Sequence, residues 1–271
     1  MSMDRRPAWA GQFYPADPEE LRRMVGGFLA AAGPRDAEPT ILAMSPHAGY
    51  VYSGSVAGRT LGQANLASTI LLLGPKHTPF GAPLALWDSG RWLYPGGAVA
   101  VDNVLAEVLR RAEPRLTPDQ AGHAQEHSLE VMLPFLAALD PAVRVVPLAV
   151  GVGGAELLVE IGSRIGRALA AHPEPVSIVV SSDMSHQIPD AEARRLDAMA
   201  LEAAVRLDPA ALYATVRTRR ITMCGVLPMT IGLAAARELG ASKARVTAYA
   251  TSGDVTGDRN RVVGYAGVIV S

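Results

Sequence analysis

The sequence predicts an α/β fold: a single domain over residues 1–271, with a central mixed, mainly parallel sheet flanked by helices. Three observations predict it. Apolar runs of strand length recur along the chain and are continuous rather than alternating, as strands buried on both faces are. Segments with helix-start residues lie between these runs. The 26 glycines and 20 prolines sit at segment ends instead of gathering into a linker, so no domain boundary shows.

Taken in order, the first helix opens at Asp17, an N-cap residue followed by Pro18 at the first helical position and by Glu19 and Glu20 in the first turn. Strands are expected at residues 40–44 and 69–73. The segment LALWDSGRWLY reads as a hairpin with Asp88, Ser89 and Gly90 at its turn. Helices are expected over residues 102–111, 127–139, 155–171, 190–206 and 225–239, and further strands over 143–150, 176–181, 245–250 and 262–270.

Composition narrows the function. With 49% hydrophobic and 19% charged residues, apolar burial offsets chain entropy and a packed core is expected. The net charge of −1, without runs of one sign, argues against a nucleic-acid or membrane-surface partner, since both need a concentrated basic field. The longest apolar runs fall well short of the roughly 20 residues of a membrane helix. The opening MSMDRRPAWAGQFYP lacks the apolar stretch of a secretion leader, so the chain reads as cytoplasmic. The one cysteine, Cys224, excludes an intramolecular disulfide. Alone, such a residue is more often a small buried hydrophobe than a reactive group.

Three strand candidates end in polar, chemically capable loops: MSPHAGYVYSG, LLGPKHTPF and VVSSDMSHQ. Ligand sites of open α/β sheets form beyond the carboxyl ends of strands, so His47, His77, Asp183 and His186 are expected to converge. In HAQEHSLE, a helix would place His123 with His127 and Glu126 with Glu130 on shared faces, although HEXXH is absent. A polar helix start is the equally weighted alternative there, and His172 in AAHPEP reads as a helix-end histidine. Cys224 precedes the helix opening at Gly225, where the helix dipole favours a thiolate ligand or nucleophile. Asp254 and Asp258 lie in a Gly-rich connection without EF-hand spacing, which reads as a turn; the alternative is a loop that lends Arg259 or Asp254 to a pocket wall.

The segments AGQFYPADPEEL, SPHAGYVYSG, GPKHTPF, EHSLEVMLPF, SSDMSH, MCGVLP and TSGDVTGDRNRVVGYAG, in that order over nearly the whole chain, resemble the Memo family, whose bacterial and archaeal members are labelled AmmeMemoRadiSam system protein B. The resemblance implies a fold similar to class III, nonheme-iron extradiol dioxygenases of the LigB type. It implies one metal ion on His47, His77 and Cys224, with Asp183 and His186 beside it and His186 as acid/base. It also points to a substrate pocket drawing on His127, Glu130, Tyr50 and Asp254. Where some relatives show two histidines in succession, GPKHTPF has only His77. A thiolate in place of the dioxygenase carboxylate is softer and more electron-donating, which shifts preference towards copper or zinc while still admitting iron and puts catechol ring cleavage in doubt. With the family resemblance weighed in, the expected cofactor is one metal ion, iron or copper, with zinc as the alternative.

Three functions are expected from this set. The first is a metal-dependent oxidoreductase acting on a small aromatic-type substrate, with a radical SAM enzyme and an AMMECR-type protein as pathway partners. The second is a non-catalytic module binding phosphotyrosine peptides, against which the pocket loops offer few arginines beyond Arg259 and Arg261. The third is a zinc hydrolase with an open position for water.

Overall fold

Four of the continuous apolar runs lie side by side at the centre of the computed structural model, which describes residues 4–271. The first three residues of the stretch read above for a secretion leader lie outside this range. In chain order the elements begin with α1 (Pro18–Ala30), β1 (Leu42–Ser45), α2 (Tyr50–Gln63), β2 (Thr69–Pro75), β3 (Leu84–Leu86), β4 (Arg91–Tyr94) and β5 (Gly97–Val101). Next come α3 (Asn103–Ala112), β6 (Thr117–Pro118), α4 (Ala121–Ala124), a 3-10 turn (Glu130–Met132) running into α5 (Leu133–Leu139), β7 (Arg144–Val150) and α6 (Ala155–Ala170). The chain closes with β8 (Val176–Ser181), β9 (His186–Ile188), α7 (Asp190–Val205), α8 (Pro209–Thr218), α9 (Val226–Glu238), β10 (Ala244–Thr251), α10 (Gly253–Thr256) and β11 (Val262–Val270).

The main strand order is β10-β11-β1-β8-β2-β7-β3-β6, parallel from β1 to β7 and flanked by antiparallel pairings at β11 and β3. Each central strand is buried on both faces, which is why its run is continuous. Leu71 and Leu73 of β2 join the core under α6, α7, α8 and α9, whereas Ile70 and Leu72 join the core under α1, α2 and α5. Both cores share one sheet, and the chain forms one α/β domain. Each fully buried Leu, Ile or Val contributes about 1.5–3 kcal/mol, so the core sustains the fold without a disulfide. Among the described residues no helix is long and apolar enough to cross a membrane.

Local signals explain several ends. Asp17 accepts from the Glu20 N–H at 2.8 Å and so caps its helix as expected, and Asp102, where the next expected helix begins, caps it by accepting from the Leu105 N–H at 2.9 Å. The hairpin falls elsewhere: β3 pairs with β7 and β6, and the antiparallel partner of β4 is β5. Its turn is Pro95-Gly96, where Gly96 at φ +89° supplies the left-handed position that a type II turn needs after proline. The helix expected from residue 127 starts only at the 3-10 turn. Glu126 accepts from the Ser128 N–H, and the Ser128 hydroxyl donates to the Pro75 carbonyl, which ties this segment to the end of β2. Helix α2, which follows the His47 loop directly, was not anticipated.

Register determines what sits above the sheet. Ser45 of β1 is paired with Ser181 of β8, and Leu73 of β2 with Val180. His47, His77 and Asp183 therefore each stand two residues beyond a strand end, on three neighbouring strands.

Candidate metal centre

His47, His77 and Cys224 each place one ligand atom within 4.8 Å of the others. His47 Nε2 lies 3.3 Å from Cys224 Sγ. Bonds of about 2.0 Å to nitrogen and 2.3 Å to sulfur at tetrahedral angles set these atoms about 3.5 Å apart, so the donor set fits a transition-metal ion. Cys224 arrives from the loop between α8 and α9. Gly225 behind it permits the approach, since a Cβ there would collide with Ser182, whose hydroxyl accepts the Gly225 N–H at 3.0 Å.

The histidines are oriented from behind. The Ser181 hydroxyl donates its one proton to the Ser128 carbonyl at 2.6 Å, so toward His47 Nδ1, its other partner, it must accept. His47 thus carries its proton on Nδ1, and Nε2 presents a lone pair toward Cys224. Glu126, fully buried, does the same for His77: Oε1 lies 2.8 Å from Nδ1, and the His77 and Ser128 N–H groups also donate to this carboxylate. Glu126 and His127 form a second close group with His77, but the Glu126 oxygens are engaged by these donors, so the carboxylate orients His77.

The electrostatics follow from enclosure. Burial, with the charge of His77, pushes His47 down to about 3. His127 falls to about 4 for the same reason, helped by His47 and His77. Burial alone would raise Glu126, but the hydrogen bonds from His77 and Ser128 outweigh it and pull the carboxyl down to about 2. Burial and the Asp183 carboxylate push the Cys224 thiol well up, so the metal-free side chain is a thiol, contrary to the thiolate expected from the helix terminus. Asp183 is itself pushed up by burial. It accepts the His47 N–H at 2.8 Å, donates its own N–H to Cys224 Sγ at 3.2 Å, and brings Oδ2 to 4.0 Å from His47 Nε2.

His186 opens β9 beside this group. Its Nδ1 lies 3.0 Å from the Thr222 carbonyl and must donate to it, leaving Nε2 free to accept a proton. The Thr222 hydroxyl accepts the His186 N–H at 2.7 Å, so the ring is oriented by Thr222, two residues before Cys224. Gln187 beside it sits in the left-handed region at φ +59°. His127 packs on His77 at 4.6 Å and His47 at 5.2 Å between ring centroids, and meets Phe13 at 4.5 Å and Trp9 at 5.7 Å. The N-terminal segment thereby forms an aromatic wall to the centre.

Other expected pocket residues have different partners. Glu130 accepts from Arg5 Nη1 at 2.6 Å, the Tyr14 hydroxyl at 2.6 Å, and the Ala8 and Trp9 N–H groups, so it anchors the N-terminal segment. Tyr50 is buried and donates to the Val131 carbonyl at 2.7 Å. Asp254 is held by Arg194, Arg259 and the Thr251 N–H on the surface. His123 turns into the core between Trp87 and Trp92, its Nε2 on the Ala85 carbonyl, so it does not share a face with His127. Sequence reasoning missed Ser181, Thr222 and the orienting role of Glu126. The first two were visible as polar residues at the end of an apolar strand and just before MCG.

The family model described as Memo-like protein matches residues 5–269. A MEMO1 family protein of Aquifex aeolicus is 39% identical over 266 residues, 98% of each chain. Another from Archaeoglobus fulgidus is 38% identical over 267 residues, again 98% of each, and one from Methanopyrus kandleri is 37% identical over 279 residues, 98% of this chain and 99% of that one. Among solved structures, an uncharacterized protein of Escherichia coli K12 shares the fold at a TM-score of 0.51 and 13% identity, covering 83% of this chain and 98% of that one. With the family model spanning nearly the whole chain and these relatives matched end to end, the chain belongs to the Memo family.

Proposed function

We propose that the chain is a mononuclear metal-dependent oxidoreductase acting on a small, planar, aromatic-type compound, with iron or copper on His47, His77 and Cys224. The observation that carries this is the convergence of two imidazoles and a thiol within 4.8 Å, with both imidazoles oriented from behind by Ser181 and Glu126. Such an ion supplies an open coordination face and a one-electron couple. The residues around it supply the rest. His127, Phe13 and Trp9 offer flat apolar surface to a ring and limit water. His186 accepts or returns a proton at Nε2, and Asp183 adds a polar group beside His47.

Two other readings are separated from this one by metal content. A zinc hydrolase would use the same donors with water as the remaining ligand. A phosphopeptide module would need unpaired arginines, and Arg259 is held by Asp190 and Asp254. Purification without oxygen followed by elemental analysis tests the proposal. It is expected to return one iron or copper per chain, whereas full zinc occupancy favours hydrolysis and no metal favours the peptide module. Cys224→Ala and His47→Ala are each expected to abolish stoichiometric uptake with the fold intact, and full occupancy in both variants would sink the site. A screen of catechols and indole-type compounds for oxygen-dependent turnover then addresses the substrate. Co-purification with a radical SAM enzyme and an AMMECR-type protein addresses the pathway partners that the family resemblance implies.

A further inference from the structure

Between β8 and β9 the chain belongs to no strand or helix, and this loop carries Asp183 and leads into His186. Its backbone N–H groups are taken one by one from outside. Ser182 donates to the Ser45 carbonyl at 2.9 Å, Asp183 to Cys224 Sγ at 3.2 Å, and Met184 to the Gly264 carbonyl at 2.8 Å. Ser185 donates to Asp197 Oδ1 at 3.0 Å, and His186 to the Thr222 hydroxyl at 2.7 Å. Only one of these acceptors is a carboxylate.

Asp197 projects from the middle of α7 and is fully buried. Its Oδ1 takes both donors of Ser185, the hydroxyl at 2.6 Å as well as the N–H, and its Oδ2 takes the Tyr249 hydroxyl at 2.7 Å. These O–H···O lengths are those of bonds to an ionised carboxylate. No cation pairs with it among the described residues: Arg194 of the same helix lies over the Tyr249 ring at 5.5 Å and gives its guanidinium to Asp190 and Asp254. A buried carboxylate without a cation costs stability that an apolar side chain would not, so the packing of α7 does not account for it. The sheet makes room for this group, since a Cβ on Gly264 would collide with Asp197 Oδ2. The Gly264 N–H also donates to the Ser185 carbonyl at 2.8 Å, so α7 and β11 grip Ser185 from its two peptide groups.

Two residues before Ser185, Asp183 accepts the His47 N–H at 2.8 Å and donates its own to Cys224 Sγ, so it touches two of the three candidate ligands. We propose that Asp197 is a positioning residue of the metal centre: its carboxylate fixes Ser185, and through it the loop that holds the Asp183 N–H on the Cys224 sulfur. The assignment rests on reading His47, His77 and Cys224 as a metal site. Asp197 touches no ligand itself and acts through the loop.

The test uses the full chain loaded with Co²⁺, whose absorption reports the thiolate–metal bond, with affinity read by competition against a chelator. Asp197→Ala is expected to bind Co²⁺ about tenfold more weakly and to displace the thiolate-to-metal band, because the Asp183 N–H leaves the sulfur. Asp197→Asn is expected to restore both readouts, since its amide oxygen accepts from Ser185 and its amide nitrogen donates to the phenol. Tyr249→Phe removes a bond to the same carboxylate on the side away from the loop, and is expected to lower thermal stability with both readouts unchanged. If Asp197→Ala does not fold, Ser185→Ala takes its place: it removes the 2.6 Å bond alone and is expected to displace the band in the same direction by less. A wild-type band and affinity in the variant read, or a Tyr249→Phe that moves them equally, overturns the proposal and leaves the metal site standing. A wild-type chain that takes up no Co²⁺ overturns the metal site and the proposal with it.

Discussion

Glu126 and Glu130 lie four residues apart, both fully buried, and do opposite things. Glu130 closes a charged cluster: Arg5 lies over the Trp92 ring at 4.3 Å, donates to Glu130 and to the His123 and Glu126 carbonyls, and Tyr14 with two backbone N–H groups completes the carboxylate. Both charged groups find their partners inside the protein, and the result is a clamp on the N-terminal segment. Glu126 belongs to a cluster whose inner side is complete and whose outer side is not. It holds His77 Nδ1 and Ser181 holds His47 Nδ1, while the remaining ring nitrogens and the Cys224 sulfur converge on one another. Buried polar groups that satisfy each other build structure, and groups that are oriented yet left with a free lone pair build a site.

This contrast can be broken at either end. Arg5→Ala leaves the Glu130 carboxylate buried without its cation, and removing one partner of a buried pair costs about 3–5 kcal/mol. Denaturant unfolding is expected to show a loss of that size, with metal bound per folded chain unchanged. A loss below about 1 kcal/mol would mean that the clamp is ornamental. Glu126→Gln keeps the volume and removes the charge behind His77. It is expected to weaken metal affinity by about 10- to 100-fold while moving stability less than Arg5→Ala does. Competition against a chelator of known affinity measures this, and an unchanged affinity would remove Glu126 from the centre.

The smallest expected effect is a proton count. The Cys224 thiol is raised and therefore protonated at pH 7 without metal, whereas His47 is depressed and already neutral, and Glu126 is already ionised. Ligation by the thiolate thus releases about one proton per metal ion at pH 7, with none from His47. Titration calorimetry in two buffers of different ionisation enthalpy counts it. Zero release would argue that Cys224 is not a ligand.

Much of the frame was legible. The run at residues 69–73 announced a strand buried on both faces, and Asp17 announced its helix by capping chemistry. The loops holding His47, His77 and Asp183 were recognisable because each follows such a run. The hairpin was misplaced because Asp88-Ser89-Gly90 and Pro95-Gly96 are both turn-forming, and only pairing to β7 decides between them. Glu130, Tyr50 and Asp254 were expected in the pocket on motif alone, and their side chains are engaged elsewhere.

What the sequence determined by itself is local: which segments are strands, which residues cap helices, and which side chains have metal-binding chemistry. Those properties depend on neighbours within a turn or a pleat, and periodicity records them. Only the tertiary structure decided which polar atoms find partners. His47 meets Ser181 across 134 positions, Arg5 meets Glu130 across 125, and Cys224 meets His47 across 177. Such pairings depend on strand order and register, and no local pattern encodes them. The difference between a clamp and a site therefore emerges only when the sheet is assembled.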